Sequence, residues 1–373
     1  MPALTDLLHP QIVNERISRL KVNNTTLQNH FGCQAGGPSV KKTPSRSGSY
    51  DVVSDTREIA EASLPESESK TITAKVIGNV AFDIPRHAHK LPIPLEKVNQ
   101  LRPIGGPVNE VDSLGEQYIL EQEKFVKQRI TNLREFQMAA MLRGSYTWTA
   151  SGSDSFSHTF SGGDHTINYQ IPSGNKTQLD MTGGGNIVGT SWANSAAPLV
   201  RDVLAVNAAF IELCGSGVTD IFVNSVVWGH VITNTEVQNL AGSVNAPVTT
   251  ISRNDETEEF TAQIGAIPWV TWHINDHGLT VSGSFSKLIG DTHAAFCVRK
   301  SANAVVYYEA PEPVVSSDLS SYENKFGEHY FHVLKADPAS IELHSRFNGI
   351  PVLYVPAAQA FGAVVLKSAG SER

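Results

Sequence analysis

The sequence predicts an α+β fold built on one long helix, and three observations carry that prediction. Residues 113–144 (SLGEQYILEQEKFVKQRITNLREFQMAAMLRG) hold no proline and repeat apolar residues at three-, four- and seven-residue spacing. Strand-like and helix-like runs follow in mixed order to the C-terminus. Ahead of the helix lies a leader rich in Ser, Gly, Pro and charge, which offers little apolar surface to offset its own chain entropy.

The long helix has a start and a stop. Ser113 with Glu116 reads as a capping box, and Gly144 stands where a left-handed C-terminal residue is wanted. Ile119, Val126, Ile130, Leu133, Phe136 and Ala140 form the apolar stripe. Glu116, Glu121 and Glu123 lie early and Arg129, Arg134 and Arg143 late, an order that suits the helix dipole. Such a helix spans roughly 45 Å. Its stripe is expected to face its own sheet, and its charges neighbouring subunits or solvent.

The remaining elements follow in chain order. Pro10–Leu20 is a short amphipathic helix; 32–70 is disordered or held extended against something else; Thr71–Phe82 alternates weakly like a strand; Ile84–Pro103, with four prolines, is extended. Phe156–Phe160 and Thr166–Ile171 read as a strand pair turned by Gly162-Gly163-Asp164. A Gly-rich stretch, 182–189, precedes a helix from Pro198 to Cys214, closed by Gly215. Thr219–Val223 is a buried strand, and Ser225 caps a helix running to Leu240. Strands dominate from there to Tyr308, and after a polar stretch come His329–Lys335, Ile341–Ser345, Pro351–Val355 and a last strand, Ala360–Val365.

The chain has 373 residues, 40% of them hydrophobic, enough for a substantial core. Only 18% are charged, below the usual quarter, so much of the surface is Ser, Thr, Asn, Gln and Gly. A formal net charge of -8 is not that of a protein gripping a phosphate backbone, but it suits the wall of a container for DNA. Three scattered cysteines, Cys33, Cys214 and Cys297, without a CxxC pair, read as free thiols in a reducing cytosol. Neither a signal peptide nor a membrane span is visible, which points to a soluble protein made in a cytoplasm.

The search for chemistry is negative. His273 and His277 flank a turn with Asp276 but lack a third placed ligand, so no metal site is assigned. Gly183-Gly184-Gly185 is followed by neither GKS nor GKT, and GxGxxG and GxSxG are absent. Trp148, Trp192, Trp228, Trp269 and Trp272 lack interleaved basic residues and read as core or interface anchors. Cys214 reads as a buried small hydrophobe. The expectation is a protein that is not an enzyme and takes no cofactor.

Several stretches, in order, resemble the major capsid proteins of tailed bacteriophages, specifically the lambda-like capsid E family. Thr131-Asn132-Leu133-Arg134-Glu135-Phe136-Gln137-Met138-Ala139-Ala140 with Leu142-Arg143-Gly144 is similar to the family's "TRE…MAAQAL..G" helix ending, with Asn-Leu inserted before Arg-Glu. Ile167-Asn168-Tyr169 stands near its "VDFG"-like segment. DIFVNSVVWGHVITNTEV resembles "G..P..IVMS...W..L..N..V". Asp337-Pro338, Glu342, Gly349-Ile350-Pro351-Val352 and Pro356 resemble "DP…E…S…LPV…P". The resemblance covers roughly residues 72–366.

It implies the Hong Kong 97 capsid fold: an N-terminal arm (1–70), an extended loop (71–105), a peripheral domain (106–188) with spine helix 113–144, an axial domain (189–355) and a C-terminal strand (356–373) that is a candidate to return to the peripheral domain. The implied function is self-assembly as hexamers and pentamers into the icosahedral virion shell around double-stranded DNA. The DNA is enclosed without sequence-specific binding. Implied partners are a scaffold, a portal and decoration proteins, and assembly takes place in the host bacterial cytoplasm. Lys75, Val76 and Ile77 of the loop, and Glu123, Lys127 and Arg134 of the helix, are the candidate intersubunit contacts. Removing Met1–Lys70 is expected to impair assembly and leave the rest folded. An encapsulin-like shell around protein cargo, a soluble enzyme, and a tail-tube or decoration protein remain the alternatives.

Overall fold

The computed structural model describes residues 9–23, 25–52, 78–100, 113–148, 165–172, 188–244, 249–254, 259–281, 284–298, 305–315, 322–337 and 339–366. Its helices are α1 (Pro10–Arg19), α2 (Thr26–Phe31), α3 (Leu95–Gln100), α4 (Ser113–Arg143), α5 (Leu199–Cys214), α6 (Ser225–Thr233) and α7 (Thr235–Val244). The strands before α5 are β1 (Val40–Lys42), β2 (Ser47–Val52), β3 (Gly78–Asp83), β4 (Arg86–Pro94), β5 (Ser145–Trp148) and β6 (His165–Asn168). Then come β7 (Asp220–Val223), β8 (Thr249–Asn254), β9 (Glu259–Ile264), β10 (Ile267–Ile274), β11 (Gly278–Val281), β12 (Ser284–Lys287) and β13 (His293–Cys297). The last are β14 (Val305–Glu309), β15 (Glu312–Val315), β16 (Tyr322–Lys325), β17 (His329–Lys335), β18 (Ser340–Leu353) and β19 (Gln359–Ala363).

Helix α4 is the expected long helix. Gly144 closes it at φ 94°, its amide donating to the carbonyls of Ala140 and Met141, a conformation that side chains with a Cβ rarely adopt. Ile119, Val126, Ile130 and Ala140 are buried, and Leu133 and Phe136 pack beside them. The proposed capping box falls at the edge of the described residues, with 111 and 112 outside them.

The helix lies against a five-stranded sheet in which β18 is the central ribbon. Residues 340–346 of β18 run between β17 and β4, 347 and 348 pair with β4 alone, and 349–353 pair with β14, which pairs in parallel with β1. Pro92 and Pro94 are tolerated because β4 pairs only with β18 among the described residues, so a missing amide breaks no second ladder. The segments Ile341–Ser345 and Pro351–Val355 thus belong to one strand.

The second sheet has the order β19-β13-β7-β10-β9-β8. Its strands alternate between two cores. Ile221, Val223, Ala294 and Phe296 face a core covered by α5, α6 and α7, while Phe222, Ala295 and Cys297 belong to the core of the long helix. Buried Trp192, Trp228 and Trp272 anchor the first of these. Trp269 is exposed, and Cys214 is only partly buried.

Five local expectations are revised. Residues 225–240 form two helices, not one, and the first is capped by Asn224, whose Oδ1 accepts from Val227 N at 2.9 Å. Asn234 makes the break: its Oδ1 accepts from Glu236 N, and its Nδ2 donates to the Ala197 carbonyl. β6 pairs with β5, whereas 156–160 and the Gly162-Gly163-Asp164 turn lie outside the described residues. Leu95–Gln100 turns helical after the extended stretch. Finally, β14, β17 and β18 (between 305 and 353) share the core of the long helix, where Tyr307, Leu343, Phe347 and Ile350 join its apolar stripe and meet the underside of the six-stranded sheet. β19 pairs with β13, while Phe361 leans on the long-helix core.

The N-terminal segment is the largest surprise. Val13, Ile17, Leu27 and Cys33 are fully buried in the chain's own core, and Tyr50 nearly so. Each such aliphatic side chain is worth about 1.5–3 kcal/mol. Residues 10–52 are therefore part of the subunit's folded body. The apolar residues that dock them are few and widely spaced, so composition hid them.

Candidate functional site

The charged residues of α4 build an internal frame. Glu123 has no exposed surface, and both its oxygens accept from the Arg16 guanidinium on α1, with Nε at 2.8 Å. His332 Nε2 of β17 stands 3.7 Å away. Burial raises the Glu123 carboxyl, and Arg16 opposes that rise. Lys127 Nζ donates to the carbonyls of Ser18 (2.9 Å) and Leu20 (2.7 Å), filling the open C-terminal end of α1.

Arg134 is the hub two turns farther along. It is 1% exposed and donates to Glu309 Oε1 (2.9 Å) and to the Cys33 carbonyl (3.2 Å), with Glu328 Oε1 at 3.3 Å from its Nε. Its plane also lies over Phe347 and Tyr307, 4.4 and 5.0 Å from their centroids. Two carboxylates and two aromatic faces compensate the charge. Next to it, buried Glu135 accepts from the first amides of α2, Leu27 N (3.0 Å) and Gln28 N (3.4 Å); burial still pushes its carboxyl well above the ordinary range. Gln137 donates to the Gly349 carbonyl at 3.2 Å and accepts from the Tyr307 hydroxyl. Glu123, Lys127 and Arg134 thus spend their interactions on the same chain, binding the N-terminal segment and the β14–β18 ladder to the helix. Lys75, Val76 and Ile77 lie outside the described residues.

Two further polar clusters tie distant strands. Glu312 receives Arg46 (2.6 Å), Arg86 (2.7 Å), Arg346 (3.4 Å) and the Asn348 amide (3.0 Å). Burial alone would raise its carboxyl, but Asn348, Arg86 and Arg46 overcome that and hold it below the usual range. On the sheet face turned toward α2, His273 Nε2 lies 2.9 Å from Asp220 Oδ1 and its Nδ1 2.5 Å from Glu259 Oε1. The ring donors of His30 and His273 and an Asp220 oxygen fall within 4.8 Å of one another. His277, the partner suggested by sequence spacing, is not in this group. His30 and Asp220 were beyond sequence reasoning, because nothing local links either to residue 273.

The outer surface carries apolar side chains. Leu204, Ala208 and Ile211 recur along the exposed face of α5 at helical spacing. Ile251, Phe260 and Trp269 stand on the three strands at the β8 end of the six-stranded sheet, 53%, 42% and 48% exposed. Phe125 on α4 and Leu334 on β17 are 48% and 58% exposed. A cleft of about 650 Å³ is lined by Arg143, Lys287, Asp291 and Phe361, among others. Its charges hold its own loop in place: Arg143 donates to the carbonyls of Lys287 and Leu288, and Lys287 pairs with Asp291 at 2.7 Å. No helix among the described residues is long and apolar enough to cross a membrane.

A sequence model of the family described as phage major capsid protein E matches residues 11–364. Comparison with curated proteins finds no match. Among solved structures, a protein described as the capsid protein of an Escherichia coli CFT073 prophage is 10% identical and superposes with a TM-score of 0.51 over 78% of this chain and 80% of that one. The capsid of a native GTA particle is 11% identical, with a TM-score of 0.48 and 93% of each chain covered. A phage-related protein from Bordetella bronchiseptica RB50 is 11% identical, with a TM-score of 0.47 over 94% of this chain and 100% of that one. At such identities the first superposition speaks to the fold alone, which is of the Hong Kong 97 type.

Proposed function

The chain belongs to the phage major capsid protein E family, and on that premise we propose that its copies close, as hexamers and pentamers, into the icosahedral virion shell around the double-stranded DNA of a tailed bacteriophage. Shell formation by self-assembly is the family's role, and the family match along the chain is the observation that carries the reading. The physical features agree with it. Apolar side chains on α5 and at the β8 end of the six-stranded sheet suit contact with further copies. A net charge of -8 suits a wall that does not grip phosphate. We assign the chain no catalytic step.

The finer picture comes from the resemblance. Residues 78–100 pack as β3, β4 and α3, with Ile84, Ile93 and Val98 buried in the chain's own core, so the loop that reaches over a neighbouring subunit is cut back from 71–105 to the stretch around Lys75, Val76 and Ile77; α4 is the spine of the peripheral domain, and the unit beginning near 189 is the axial domain. The arm assigned to 1–70 is restricted here to whatever part is not already packed in the subunit's own core. A scaffold and a portal guide closure in the host cytoplasm, and decoration proteins can join the outside.

Expression with and without neighbouring scaffold and portal genes, followed by electron microscopy, tests the proposal. Closed shells are expected. Soluble subunits that never assemble, even with scaffold present, overturn it. Shells that enclose a protein cargo and reject DNA overturn the genome-container part and favour an encapsulin-like compartment.

A further inference from the structure

The cluster at the junction of the two cores has donor chemistry that neither the ion-pair frame nor shell formation uses. His273 on β10 has a carboxylate at each ring nitrogen, Glu259 at Nδ1 and Asp220 at Nε2. A neutral imidazole carries one N–H, so one of these two contacts would set a lone pair against a carboxylate oxygen. A positive charge must stand there: a second proton or a metal ion. A proton satisfies two atoms. The structure supplies a third donor, a His30 ring nitrogen within 4.8 Å of both the His273 nitrogen and the Asp220 oxygen.

We propose that His30, Asp220 and His273 form a divalent transition-metal site, suited to Zn²⁺, that clamps the N-terminal segment onto the six-stranded sheet. Two imidazoles and one carboxylate are a ligand set this ion takes. Both sheet-borne ligands are already oriented by a second hydrogen bond. Glu259 fixes the Nδ1–H form of His273 and leaves Nε2 for the metal; the Thr219 hydroxyl donates to Asp220 Oδ2 at 2.6 Å and leaves Oδ1. Phe222 stacks on His273 at 4.6 Å and meets His30 edge-on at 4.8 Å, giving the rings an apolar wall. Donor atoms around tetrahedral zinc stand roughly 3.3 Å apart, given bonds of about 2.0–2.1 Å. The 2.9 Å contact opens by a few tenths of an ångström, and His30, the last residue but one of α2, closes in. His30 is half-buried, so solvent can fill the fourth position. Binding releases the proton that otherwise bridges Nε2 and Oδ1.

The clamp joins elements 190 residues apart, counted from His30 to Asp220. Because the ligands converge only in the folded chain, metal binding adds directly to stability.

The test uses the full chain, stripped with chelator and titrated with Co²⁺ and Zn²⁺. We expect one Co²⁺ per chain with the visible absorption of a low-coordinate site, displaced by Zn²⁺, and a melting temperature that rises by several degrees with Zn²⁺ and falls back with EDTA. His30→Gln, on the half-buried ligand, should keep the circular dichroism of the parent and lose both the absorption and the Zn²⁺ shift. Glu259→Gln should bind about 10–100-fold more weakly. If the stripped chain takes up no stoichiometric metal, or if His30→Gln binds as tightly as the parent, His273 and Asp220 share a proton alone and the proposal falls.

Discussion

Arg134 shows how much one side chain can hold. Removing it leaves largely buried Glu309 and half-buried Glu328 without their shared counter-charge, a situation that costs about 3–5 kcal/mol. Arg134→Ala should therefore lower urea stability by that order, and a parent-like midpoint would show that the frame is not under electrostatic load. His329 and His332 on β17 offer a test by pH. Burial, helped by Lys325 and Arg346, pushes His329 down to about 4; burial, with Arg16 and His344, does the same to His332. Their unfolded values lie near 6.5. Between these limits the unfolded chain binds protons that the folded chain refuses, so stability is present above pH ~6.5 and is lost as the pH falls toward ~4. Thermal melts of unassembled subunits from pH 7 to 4.5 should show the drop, and His329→Gln should flatten it. None of these partners was legible in sequence. Arg134 looked like a surface charge near a helix end because Glu309 lies 175 positions away.

Among the helices and strands, the features readable in advance were local. The stripe through Ile119, Val126 and Ile130, Pro198 before α5, and Gly144 and Gly215 after their helices all act within a few residues of themselves. Gly144→Ala and Gly215→Ala, at φ 94° and 75°, should each cost on the order of 1 kcal/mol, read as a shift in denaturation midpoint. The division of 225–244 into α6 and α7 was missed because its cause is partly remote. Asn234 gives Oδ1 to the α7 amides, but its Nδ2 is held by the Ala197 carbonyl, 37 residues back. Asn234→Ala removes these bonds and with them the N-cap of α7, so a loss of about 1–2 kcal/mol is expected in the same measurement.

For the subunit entire, the packed N-terminal segment changes what a truncation means. Deleting residues 1–52 removes Val13, Ile17, Leu27 and Tyr50 from the core and strips Arg16 from buried Glu123. The product should be unfolded or aggregated, read by circular dichroism and proteolysis; a well-folded, assembly-deficient subunit would refute this. The outer faces call for the opposite behaviour. Leu204→Asp with Ile211→Asp on the exposed side of α5 should leave subunits folded while cutting shell yield at least about tenfold, the effect of ~1.4 kcal/mol lost per contact. Shells of normal yield would remove α5 from the assembly surface.

The amino-acid order alone settles a long capped helix, a mixed α+β body, free cysteines, and the succession of motifs that places the chain among phage capsid proteins, because each of these is written in neighbours or in linear order. Folding decides the rest. It makes 10–52 part of the core, turns Glu123 and Arg134 inward and ties Lys127 to the end of α1, joins β14, β17 and β18 to the long helix, and brings His30 to Asp220 and His273. Those outcomes depend on which surfaces meet across a hundred or more residues. A buried ion pair has no local pattern, since either partner alone looks like any charge on a solvated helix.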